Sequence, residues 1–192
     1  NHVKIFETKE PVYAYRETGE RRVMTPKEML MLNFTHKIPV SSCTMILKRK
    51  FFDEMHFPEF SYYEDRRLTY KLINESQKVG YIDKAYYKYY TRVGSIVHTP
   101  KWKNYYDFAF AEKRRLEFIN STTIFTEEEK AYLSKLVAET FLSKARRANK
   151  KARTREEKAK SRELLKVLPI IPKECKLKFK SRFYRKLLKF LY

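Results

Sequence analysis

Two adjacent carboxylates, Glu64 and Asp65, follow an aromatic pair, Tyr62 and Tyr63, in the stretch FPEFSYYEDRRLTYKLINESQKVG from Phe57 to Gly80. A carboxylate in this setting can take a proton from an attacking hydroxyl if it lies within hydrogen-bond reach and its pKa is near the working pH. Neighbouring carboxylates raise one another's pKa, which suits a base. The same pair also has a plainer use, because acids in the first turn of a helix offset the positive end of its macrodipole. Leu68, Leu72 and Ile73 at helical spacing, with Arg66, Arg67 and Lys71 between, make the following run an amphipathic helix.

The surroundings of this pair come in a fixed order. SSCTMILKRKFFDEMHFPE runs from Ser41, YYEDRRLTYKLI from Tyr62 and VGYIDKAYYKYYTRVGSI from Val79. A polar segment ending in Lys-Arg, a short helix, Phe-Pro-Glu, aromatic-Glu-Asp, a helix, an aromatic strand and Gly-Ser-Ile together resemble the acceptor-side half of family 2 glycosyltransferases. Those are inverting enzymes of GT-A fold that build bacterial capsular and lipopolysaccharide sugars.

The resemblance covers the first half of the chain and implies an α/β fold, a partial GT-A (Rossmann-like) domain over residues 1–100. It implies a hexosyltransferase that moves a sugar from a nucleotide-sugar donor to a lipid-linked or growing surface glycan. Asp65 is then the general base, with Glu64 orienting it or binding acceptor or metal-bound water. Arg92 and Ser95, in the loop after the aromatic strand, and Tyr63 contact substrate, and His98 reaches the metal. Plainer readings stand beside these: a solvated loop arginine at Arg92, a loop histidine at His98, and aromatic core at Tyr62 or Tyr63. The implied cofactor is a divalent metal, Mg²⁺ or Mn²⁺, held mainly by an N-terminal half that this sequence does not contain. No Asp-x-Asp, no Gln-x-x-Arg-Trp and no Gly-rich phosphate loop occurs in the chain. The expectation is therefore a non-processive fragment, inactive alone, that begins after the donor site.

The elements that must position these residues can be read from local signals. Val3–Phe6 and Val12–Tyr15 alternate as strands do, and Thr18-Gly19 marks a turn into a returning strand, Arg21–Met24. Thr25-Pro26-Lys27-Glu28 is a capping box with Pro at the first helical position. Ser42–Leu47 has strand composition, and Lys50–Met55 that of one or two helical turns. Gly80 is placed to end the Glu64-Asp65 helix, and Tyr81–Thr91 reads as one aromatic strand. Beyond it, Trp102–Ile119 is helical, and capping boxes at Thr126/Glu129 and Thr154/Glu157 open two more helices. The predicted organisation is residues 1–100 as the α/β part and 101–192 as a helical, strongly basic extension.

The charge is concentrated in that extension. Lys144 to Tyr192 holds 19 Lys and Arg against 4 Asp and Glu, a net +15 of the chain's +20. At its end, Phe183, Leu187, Leu188 and Leu191 on one side, with Lys180, Arg182, Arg185, Lys186 and Lys189 around them, describe an amphipathic helix that lies in the headgroup region of an anionic membrane. A nucleic-acid contact is the competing use of such a tail, but no helix-turn-helix, RNP-type strand or zinc knuckle accompanies it. The alternative to an enzyme is thus a basic module that binds membrane surface or nucleic acid without catalysis. Cys43 and Cys175 lie in unlike contexts, which argues against a disulfide framework and for a reducing compartment. No signal peptide and no membrane-spanning run is present, so the expected location is cytoplasmic, peripheral at the inner face of the cell membrane.

Overall fold

In the computed structural model, which describes residues 2–6, 9–13, 17–91 and 100–165, every capping box foreseen above opens a helix. At Thr25 the hydroxyl accepts from the Glu28 N–H while the Glu28 carboxylate accepts from the Thr25 N–H at 2.8 Å, and α1 (Pro26–Phe34) begins with Pro at its head. The same exchange at Thr126 and Glu129 starts α4 (Glu127–Lys151), and at Thr154 and Glu157 it starts α5 (Arg155–Leu165). Between them lie α2 (Glu64–Asn74) and α3 (Trp102–Ser121). The result is a mixed α and β chain that is mostly helical. Thr126→Ala should lower the stability of the helical part by about 1 kcal/mol, read as a shift in the urea midpoint at constant slope.

The strands form two small sheets. β1 (His2–Phe6) lies between β2 (Lys9–Tyr13), antiparallel to it, and β5 (Tyr87–Thr91), parallel to it. β3 (Arg21–Met24) pairs antiparallel with β4 (Val79–Ile82), Arg21 opposite Ile82 and Met24 opposite Val79. Gly19 does turn the chain, with φ of +70°. The returning strand, however, is not a hairpin partner of β2. Asp83 captures the segment instead: its Oδ2 accepts from the Thr18 N–H at 2.9 Å and from the Thr18 hydroxyl at 2.5 Å. Its backbone N–H donates to the Glu20 carbonyl at 2.8 Å, which continues the β3–β4 ladder.

Two further expectations change. Ser42–Leu47 is not a strand: Ser42–Thr44 forms a 3₁₀ turn, and Ile46 stands fully exposed, with no strand among the described residues pairing with this segment. Gly80 does not end α2, which stops at Asn74; it lies inside β4, and the aromatic run breaks at Asp83 into β4 and β5. Lys50–Met55 begins as expected with a helical turn, a 3₁₀ helix over Arg49–Phe52.

The chain divides into two compact units, Asn1–Phe57 with Leu68–Thr99, and Pro58–Arg67 with Pro100–Tyr192. The core of the first is built on Leu30, Phe34 and Leu72, with Phe34 and Tyr70 rings 6.1 Å apart. The Thr69 hydroxyl ties α2 to the Val40 carbonyl at 2.9 Å. In the second unit α3 and α4, joined by five residues, form a helical hairpin against which α5 packs. Leu133, Val137, Phe141 and Ala145 repeat every four residues along α4 and are all fully buried, as are Leu116 and Ile119 of α3. Trp102 stacks on Tyr106 at 4.9 Å and donates from its indole N–H to Ser161 of α5 at 2.8 Å. The segment Pro58–Arg67, which carries the Glu-Asp pair, is grouped with these helices and not with the strands.

Candidate active site

The Glu-Asp pair is delivered by a turn in an uncommon backbone conformation. Phe60 and Tyr63 both have positive φ, 53° and 60°, where a side chain crowds the following carbonyl. Each such residue costs roughly 1–2 kcal/mol and persists only where its surroundings enforce it. Here α3 does so. The Asp107 carboxylate accepts from the Tyr62 N–H at 2.9 Å and from the Lys103 ammonium at 2.7 Å. The Tyr63 ring stands edge-on to Phe108, centroids 4.7 Å apart. The chain leaves Tyr63 directly into α2, with Glu64 and Asp65 in the first turn.

Asp65 is half-buried, and burial pushes its carboxyl above the usual carboxylate range. The Arg66 N–H, donating to Oδ1 at 2.7 Å, opposes that rise. The negative charge of Glu64 adds to it, as the sequence foretold, but contributes less than burial does. Burial likewise raises the Tyr63 phenol above its ordinary value.

Behind the pair lies a cluster that the sequence did not disclose. Glu112 of α3 is fully buried, and its Oε1 accepts from Arg66 at 2.8 Å and from Arg115 at 3.1 Å. Its Oε2 is buried without a hydrogen-bond partner. The Arg66 guanidinium also lies 4.5 Å from the Phe108 ring centroid, and the Lys144 ammonium of α4 lies 4.3 Å from the same centroid. Arg67 is not the solvated helix arginine that the amphipathic pattern suggests, because it stacks on Phe110 at 4.9 Å.

Of the residues singled out from sequence, Tyr63, Glu64 and Asp65 are thus brought together, held by α3. Arg92, Ser95 and His98 lie outside the described residues, as do Cys175 and the tail from residue 166. Among the described residues no group of three His, Cys, Asp or Glu side chains could hold a metal ion, so no chemical step is derived through one. Cys43 is a free, exposed thiol. Among the described residues no helix is long and apolar enough to cross a membrane.

The signal that could have found the cluster is periodicity. Phe108, Glu112, Arg115 and Ile119 recur at four, three and four residues, so a charge pair sits on an apolar helix face. Compared with known proteins, the chain matches no family model, no curated protein and no solved structure.

Proposed function

We propose that this chain supplies the acceptor side of an inverting glycosyltransferase, with Asp65 as the general base. The observation that carries the reading is the half-buried Asp65 carboxyl, raised by burial and set in the first turn of α2 behind a strained, anchored turn. A base must be basic enough to accept a proton and fixed well enough to meet it; a helix-capping acid needs neither the burial nor the strain. In the reaction the acceptor hydroxyl attacks the anomeric carbon, Asp65 takes the hydroxyl proton, and the nucleotide diphosphate departs with the bonding electrons. Tyr63 walls the site, Glu64 orients the base or the acceptor, and Arg92 and Ser95 are assigned to substrate by the resemblance alone. The donor-binding motifs of the resemblance are absent from these 192 residues, so nucleotide and metal binding are assigned to no described side chain.

The test is transfer of labelled sugar from uridine-diphosphate sugars by the full-length encoded protein, native against Asp65→Asn. Equal turnover per folded molecule would remove Asp65 from the chemistry.

The acceptor is lipid-linked in this reading, and the basic tail holds the protein at the inner membrane face. Deleting residues 173–192 should abolish binding to vesicles containing anionic lipid and leave the thermal transition of the rest in place. A deletion that unfolds the protein would make the tail a packing element.

A further inference from the structure

The second unit carries more positive charge around one aromatic pair than its carboxylates neutralise. Lys144 lies 4.3 Å from the Phe108 centroid and 6.0 Å from that of Tyr105, and Arg147, one helical turn on, lies 5.8 Å from the Tyr105 centroid. Arg66 covers Phe108 as well. The carboxylate shared at this place is Glu112, already bonded to both Arg66 and Arg115. Among the described residues neither Lys144 nor Arg147 is paired with a carboxylate. Burial, and then the charges of Arg147 and Arg66, hold the Lys144 ammonium below the ordinary lysine range, and Glu112 only partly opposes them.

A half-buried ammonium among like charges is unfavourable in the free protein. Three cations gathered over two aromatic rings, with one carboxylate already bonded to both Arg66 and Arg115, suit an anion whose charge they can meet. Tyr63, which packs on Phe108, and Arg66, which follows Asp65 in the chain, join this cluster to the candidate base.

We infer that Arg66, Lys144 and Arg147, with Tyr105 and Phe108, form a binding site for an anionic group, phosphate or carboxylate, on the acceptor sugar. The assignment of that group to the acceptor rests on the glycosyltransferase reading; the anion site itself does not.

Calorimetric titration of the full chain tests it, with inorganic phosphate, sodium glucuronate and neutral glucose as probes. Working near physiological ionic strength screens long-range attraction to the other cations of the chain over about 8 Å. The native protein should bind phosphate or glucuronate saturably at one equivalent, and glucose not at all. Saturation by phosphate alone points to a phosphorylated acceptor, and saturation by glucuronate alone to a uronic acid.

Lys144→Met keeps the apolar stem and should weaken binding about tenfold or more, as should Arg147→Gln. Lys150→Gln/Lys151→Gln, exposed on the same helix, should leave affinity unchanged. Lys144→Met should also hold or raise the melting temperature without ligand, whereas a purely structural lysine would lower it. Absence of saturable binding, or equal weakening in the Lys150/Lys151 control, would overturn the site. Loss of turnover in Asp65→Asn would stand independently of either outcome.

Discussion

Asp65→Asn is expected to lower glycosyl transfer by roughly 10²–10⁴-fold, the usual contribution of a general base. Asparagine keeps the size of the side chain and an oxygen that can accept from the Arg66 N–H, but it cannot take a proton. Stability should not fall. The carboxyl is raised in the folded protein, so the folded state binds more protons than the unfolded one over the pH range between the two pKa values. Stability therefore declines as pH rises through that range, and at neutral pH the ionised carboxylate is a net cost. Removing its charge should leave the urea midpoint unchanged or move it upward. A helix-capping role forecasts the reverse, a loss of about 0.5–2 kcal/mol with the rate per folded molecule intact. The acid limb of kcat/KM against pH should also lie above the range of an ordinary aspartate. A stable, fully active Asp65→Asn protein would end the mechanism.

The largest effect on stability is expected at Glu112. This carboxylate is fully buried, as is Arg115, and Arg66 is nearly so, with 11% of its side chain exposed. Glu112→Gln removes the fully buried carboxylate on which the Arg66 and Arg115 guanidinium groups converge. Breaking a buried pair in this way costs about 3–5 kcal/mol, a large share of the 5–15 kcal/mol by which domains are typically stable. Denaturation in urea should show the midpoint falling steeply, or the protein should fail to fold. Arg115→Met, which leaves Glu112 still paired with Arg66, should cost less. Equal stability of Glu112→Gln and the native protein would mean that water reaches the cluster.

The helices were legible and the sheets were not, for a physical reason. A helix start is a local event, settled by a hydroxyl and a carboxylate three residues apart, as at Thr25/Glu28 and Thr126/Glu129. Strand pairing is settled at a distance. β3 finds β4 across more than fifty residues, and Asp83 bonds Thr18 across 65. Nothing near Arg21 names that partner, so the turn at Gly19 suggested the nearer strand. Ser42–Leu47 shows the same limit from the other side, because strand-like composition makes no strand without a neighbour to pair with.

Within the site, the acids and the tyrosine before them could be read directly. Their support could not. Lys103/Asp107 and Glu112/Arg115 have the spacing of ordinary surface ion pairs, and only the packing of α3 against its neighbours turns the latter inward. Asp107, which fixes the Tyr62 backbone, was missed for the same reason.

The bonds that anchor the strained turn reach far ahead in the chain: Tyr62 waits for Asp107 and Arg66 for Glu112, separations of 45 and 46 residues. A ribosome adds about 5–20 residues per second, so the turn leaves the exit tunnel seconds before the helix that locks it. In that interval Tyr63 lacks the α3 contacts that hold it in the left-handed region, and Arg66 has no buried carboxylate to meet. The geometry around Asp65 is therefore acquired late in biosynthesis, after α3 has emerged. A nascent chain halted before Asp107 would carry both acids and yet lack the shape of the site.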